Sequence, residues 1–206
     1  MNNTIKIEDK LSIKKESHYL IISNKEKCKD LILNSPLDDN NIVDILISLH
    51  IVLEVSLNAL YRNIASSYLK DTMDELKIME DIDSVSFIDK TRMFICWSKF
   101  NFGNKRKEAR EFYKIIHEMK LFSDVRNKLL HGHSISIVLN DGVRKSSETQ
   151  GKLNPKFLNQ QIKRFCFIMK GMRFYLDCLE SEFTDDGKKS YKEAFLDDSF
   201  LPYLRT

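Results

Sequence analysis

The stretch Arg126-Asn127-Lys128-Leu129-Leu130-His131, followed by Gly132, sets a permanent cation, an amide and a titratable imidazole within a few residues of one another. Histidine is the side chain best suited to giving and taking protons near neutral pH, and arginine grips phosphate through a planar fork of donors. The combination points to chemistry on a phosphodiester.

The elements that must position these residues read as helices. Residues 12–34 mix Tyr19, Leu20, Ile21, Leu31, Ile32 and Leu33 with many lysines, and Pro36 supplies a stop. Ile42, Ile45, Leu46, Leu49, Leu53, Leu57, Leu60 and Ile64 then recur at three- and four-residue steps, which predicts the strongest helix in the chain. A third helix is predicted over about 85–101 and a fourth from Lys105, whose stripe of Phe112, Ile115, Ile116, Met119, Phe122, Leu129 and Leu130 brings the Arg126 stretch to its end. Gly132 is placed to cap it.

Ser134 to Ser147 changes character. Ile135, Ile137 and Val138 precede Asn140-Asp141-Gly142 and Val143, the pattern of a short hairpin with a tight turn. A last long helix is predicted from Pro155 to about Phe183, with residues 184–206 as a peripheral tail. The fold class that follows is all-α: an antiparallel four- to five-helix bundle with a short β-hairpin insertion. Residues 1–206 form a single domain, its core at about 42–183 and its N-terminal helix within 1–41.

Composition narrows the function classes. The 206 residues are 42% hydrophobic, enough for an ordinary core, and 33 Lys and Arg against 30 Asp and Glu leave a formal charge of +3. That is far from a nucleic-acid coating protein, so any RNA contact must be local. Cys28, Cys96, Cys166 and Cys178 lie far apart with no C-x-x-C pair, which reads as reduced, buried thiols. No apolar run approaches the span of a bilayer and the start is polar, so a cytoplasmic protein without a membrane partner is expected. The chain has neither a glycine-rich phosphate loop nor His, Cys or carboxylate spacing suited to a metal, and no serine or cysteine nucleophile motif. No metal and no cofactor are expected.

An arginine followed by a polar residue, with a histidine five positions after it near the end of a late helix, resembles the HEPN superfamily of helical-bundle proteins. The match is carried by Arg126, Asn127 and His131. The helical segment from Leu49 to Tyr61, containing His50 and Glu54, is similar to an acidic helix of many members. Many HEPN proteins are metal-independent endoribonucleases acting as toxins or antiviral effectors, and others only dimerise and bind RNA or protein. The resemblance implies one of these two fates, and with the first a possible protein antitoxin. Some members carry a tyrosine, modified by their antitoxin, where this chain has His133.

Geometry says why such a site needs two chains. On an ideal helix a five-residue step turns side chains roughly 140° apart and about 7.5 Å along the axis, so Arg126 and His131 do not share a narrow face. Asn127 and His131, four apart, do. Cleavage by attack of a ribose 2′-hydroxyl needs a base, an acid and a cation for the charge that develops. A two-fold homodimer supplies two histidines and two arginines.

On this reading His131 transfers protons, Arg126 holds the scissile phosphate, and Asn127 orients His131 or the phosphate. The plainer reading leaves Arg126 a solvated side chain and His131 a residue before a cap. Glu54 either faces the bundle edge or pairs with an arginine for structural reasons, or reaches Arg126 and orients it. His50, one turn earlier, extends that polar patch, and His133 could assist proton transfer. Lys105 and Arg106 open the fourth helix, while Lys156, Lys163 and Lys170 recur every seven residues along the last. They guide RNA if they border the site; otherwise they are a wet face.

Overall fold

The computed structural model describes residues 7–69, 77–78, 80–93, 106–130, 139–140, 143–144, 153–178, 185, 188–189 and 192. The chain is all-α, with helix making up most of the described residues. Helix α1 covers Ile7–Asn34, α2 Asp39–Tyr68, α3 residues 87–93, α4 Arg106–Leu130 and α5 Pro155–Cys178. A 3₁₀ turn at Ile82–Ser84 precedes α3. Leu139–Asn140 (β1) and Val143–Arg144 (β2) pair antiparallel, with Leu139 opposite Arg144 and Asn140 opposite Val143. Both α1 and α2 start earlier than the apolar periodicity predicts, and the expected continuations of α3 to 101 and α5 to 183 lie outside the described residues.

Local chemistry sets several helix starts. Asp38 accepts from the Asn41 backbone N–H at 2.9 Å and Asp39 sits in the first turn of α2, where a carboxylate satisfies open donors and complements the helix dipole. Asn154 caps α5 by accepting from the Phe157 N–H at 2.9 Å, with Pro155 in the first helical position, where its missing N–H costs nothing. Ser86 and Asp89 bond each other's groups at the head of α3.

Helix α2 is the centre. It packs against α1, α4 and α5, while α4 and α5 pack on each other. Ile42, Ile45, Leu46, Leu49, Val52, Leu53, Leu57 and Leu60 are buried along one face and Ser48, Asn58 and Arg62 on others, so α2 is covered on more than one side, as an internal helix must be. Phe112, Ile115, Ile116, Met119 and Phe122 from α4 meet this core, together with Leu158, Ile162, Phe165, Ile168, Met169, Met172 and Leu176 from α5. By length and composition Asp39–Ala65 is apolar enough to cross a bilayer, which corrects the expectation that no run approaches that span. The apolarity of α2 is that of a helix enclosed by other helices.

Two further departures concern α1 and the end of α4. Tyr19, Ile22 and Leu33 are exposed, leaving Ile21 and Cys28 as the buried apolar residues among the described side chains of α1. Leu130, expected on the buried stripe of α4, is also exposed, and Leu129 is half-buried. The core thins where α4 ends.

Helices α4 and α5 approach closely at Gly171. A Cβ there would collide with Cδ1 and Cγ1 of Ile115, so only glycine fits without displacement. Ile115 faces Gly171 while Glu118 faces Arg164, so higher numbers on α4 meet lower numbers on α5 and the two helices run antiparallel.

Candidate functional site

Arg126 lies in the last turn and a half of α4, half-buried, and its Nη1 donates to Oδ1 of Asn127 at 2.9 Å. Asn127 was expected to orient His131 or a phosphate; here its carbonyl oxygen serves the neighbouring guanidinium. Among the described residues Arg126 has no carboxylate partner. His131 and His133 lie outside the described residues, as does Lys105. Arg106 is the first residue of α4.

His50 is 2% exposed, held by Phe87 at 4.8 Å between ring centroids and stacked on Phe122 at 6.0 Å. Burial pushes its pKa down to about 3, and the charge of Arg126 pushes in the same direction. The imidazole is therefore neutral at pH 7. Its Nδ1 lies 3.7 Å from Oε2 of Glu54, and its Nε2 has no hydrogen-bond partner among the described residues.

Glu54 does not take Arg126 as its partner. Its Oε1 lies 3.5 Å from Nζ of Lys90, which is fully buried, and its other oxygen faces His50. Lys90 comes from α3, so the acidic helix finds its cation on a different element from the one the sequence suggested. Burial lowers the pKa of Lys90, opposed chiefly by Glu54 and more weakly by Asp83. Tyr61 fixes the backbone of the same residue by donating its hydroxyl to the Lys90 carbonyl.

The polar line continues along α2. Asn58 donates to Oδ1 of Asp83 at 2.6 Å, and Arg62 pairs with Oδ2 of Asp83 and donates to the Ser17 hydroxyl at 2.9 Å. His50, Glu54, Asn58 and Arg62 are four apart, so all lie on one face of the helix. A cavity of about 480 Å³ opens beside this seam, lined by Glu54, Asn58, Arg62 and Asp83 with Glu16 and Glu80 at its edge. Sequence reasoning found His50 and Glu54 but missed Asn58, Arg62, Asp83 and Lys90. The four-residue spacing was the available signal for the first two.

Lys156, Lys163 and Lys170 are exposed along α5. Lys163 and Lys170 lie level with turns of α4 before Arg126, since Glu118 meets Arg164, whereas the same antiparallel register brings the start of α5, with Lys156, to the level of Arg126. Among the described residues no group of three or more His, Cys, Asp or Glu is arranged to hold a metal ion. Chemically, the described residues offer a guanidinium for an anion and a buried, neutral histidine close enough to feel its charge. Compared with known proteins, the chain matches no family model, no curated protein and no solved structure.

Proposed function

We propose that the protein is a HEPN-type endoribonuclease that cuts single-stranded RNA without a metal, through a site shared by two copies of the chain, and that it serves as a toxin or antiviral effector in the cytoplasm. The observation that carries this reading is the state of Arg126. It is half-buried at the end of α4 and steered by Asn127, with no carboxylate to neutralise it among the described residues, while Glu54 is committed to Lys90 and His50. A half-buried cation kept without a counter-ion among the described residues is suited to receive a phosphate.

In the proposed reaction one His131 removes the proton from a ribose 2′-hydroxyl, whose oxygen attacks phosphorus. The His131 of the second copy gives a proton to the departing 5′-oxygen. The P–O5′ bond breaks, leaving a 2′,3′-cyclic phosphate and a free 5′-hydroxyl. The two Arg126 side chains hold the charge on the non-bridging oxygens, and Asn127 keeps each guanidinium aimed. His133 is a secondary proton carrier. The supporting architecture is an antiparallel helical bundle with the segment around β1 and β2 as a hairpin insertion, and a protein antitoxin is a natural partner.

The test is cleavage of single-stranded RNA by purified protein in excess EDTA. The wild type should yield cyclic-phosphate ends, and His131→Ala should lower the rate by about 100-fold or more while the dimer persists in light scattering. RNA that is bound but never cut would instead identify a non-catalytic HEPN-like dimerisation and binding module.

A further inference from the structure

The outer face of α5 alternates cations and aromatic rings. Lys163, Phe167, Lys170 and Phe174 follow one another at three- and four-residue steps, which places all four on one side of the helix. Phe167 is 44% exposed and Phe174 58%, and Tyr113 of α4 is 43% exposed. Aromatic side chains this exposed are not part of the core, to which α5 contributes Phe165, Ile168, Met169 and Met172 from its other face.

Tyr113 and Phe167 line opposite walls of a groove of about 370 Å³ between α4 and α5, with Arg110, Lys114 and His117 on the α4 side. The acid in this groove, Glu118, is neutralised by Arg164 at 2.6 Å. Arg110 in the groove and Lys163 on the stripe have no ion pair among the described residues, so each presents a cation without a carboxylate beside it. The close approach of the helices at Gly171 holds the two walls together.

We infer that this face is a docking track for a single-stranded nucleic acid, its bases stacking on Phe167, Phe174 and Tyr113 while Arg110, Lys163 and Lys170 meet the phosphates. The inference deepens the ribonuclease reading and rests on it for the identity of the strand as RNA. Positive charge alone would suit any polyanion. Exposed rings interleaved with cations suit one whose bases are unpaired, since a duplex hides its base faces. The dimensions agree. Phe167 and Phe174 are separated by about 10.5 Å along the helix and drift by only about 20° around it. That rise matches about three steps of a stacked strand at 3.4 Å each. The track lies on a side of α4 different from that of Arg126, so it holds the strand outside the cutting centre.

The experiment measures binding of a fluorescent 2′-O-methyl RNA strand, which lacks the attacking hydroxyl and stays whole, by anisotropy in EDTA across a salt series. Phe167→Ala and Phe174→Ala should each weaken binding by roughly 5- to 100-fold, Phe167→Trp should retain it, and a duplex of the same length should bind less tightly than the single strand. Lys163→Ala with Lys170→Ala should flatten the slope of log K against log salt by about 1.4, the contribution of two phosphate contacts. Wild-type affinity in both phenylalanine variants overturns the inference. So does a switch from dimer to monomer in those variants by light scattering, which would assign the face to contact between copies. Cleavage separates the two readings. A wild type that cuts RNA while the alanine variants bind normally defeats the docking track alone, and one that never cuts yet loses binding on Phe167→Ala defeats the nuclease alone.

Discussion

Replacing Glu54 by glutamine preserves shape and removes the anion that faces Lys90, leaving a fully buried ammonium with only Asp83 as a more distant acid. Breaking a buried ion pair typically costs about 3–5 kcal/mol, and Glu54, 29% exposed, is partly screened by water. Lys90 also has an escape, because it can fold neutral. Releasing its proton at pH 7 costs about 4.6 kcal/mol, from 1.36 kcal/mol per unit across the interval from 7 to an ordinary lysine pKa of about 10.4. The expected loss at pH 7 is therefore about 2–4 kcal/mol. The sign of the pH dependence is fixed as well. The folded-state pKa of Lys90 is lowered, so between that value and the unfolded one the unfolded chain binds more protons and stability rises with pH. At pH 10 the escape costs only about 0.5 kcal/mol, and most of the defect should vanish. Urea unfolding followed by circular dichroism at pH 7 and pH 10 reads both quantities. The same substitution in a Lys90→Met background isolates the pair, where it should cost less than about 1 kcal/mol. An equal loss with and without Lys90, or a defect that grows as pH rises, would show that Glu54 does not act through the Lys90 ammonium.

Other consequences can be checked in the same way. His50, neutral in the fold with its pKa at about 3 against an ordinary 6.5, contributes stability that is intact above pH 6.5 and lost as pH falls toward 3. At pH 4.5 this amounts to about 2.7 kcal/mol, so a His50→Leu variant should lose less stability than the wild type between pH 7 and 4.5 by about that margin. Gly171→Ala should lower stability by up to about 2 kcal/mol in urea titrations: the clash with Ile115 costs about 1–3 kcal/mol, offset by about 1 kcal/mol from the helix preference of alanine. Arg126→Lys keeps the charge and loses the planar fork, so RNA cleavage should drop roughly 10- to 100-fold while the unfolding midpoint stays within error. Cys28, whose thiol burial raises to a pKa of about 12 and which points its sulfur at the Ile45 carbonyl, should resist iodoacetamide until the chain unfolds, as read by mass spectrometry.

The long stripes of α2, α4 and α5 were legible because burial on a helix leaves a period, and Leu49, Phe112 and Ile168 sit where that period puts them. In α1 the lysine-rich sequence offers a weaker stripe, and Tyr19 and Leu33 face outward. Arg126 and Asn127 were legible from type and spacing, as residues on one turn. Their partners were harder to read. Lys90 meets Glu54 across 36 positions and Asp83 meets Arg62 across 21, pairings that no local spacing encodes. An arginine was the reasonable guess for Glu54, yet the packing of α3 against α2 delivered a lysine instead. On α5 the period also separates Phe165, which falls in line with Ile162 and Ile168 and is buried, from Phe167, which falls off that line and is exposed.

The seam along α2 sets the register of that helix against its neighbours. Leucine and isoleucine ridges are interchangeable, and a helix studded with them could slide by one turn, about 5.4 Å, against its neighbours at modest cost. His50 seats between two phenylalanines, Glu54 meets Lys90, and Arg62 reaches both Asp83 and Ser17. These partners come from α1, α3, α4 and the 3₁₀ turn, so they act as teeth that mesh in a single alignment. Any slipped arrangement strands a guanidinium or an ammonium in an apolar enclosure and loses several kcal/mol. The polar residues that weaken α2 as an oily rod are thus what forbids it every position but one.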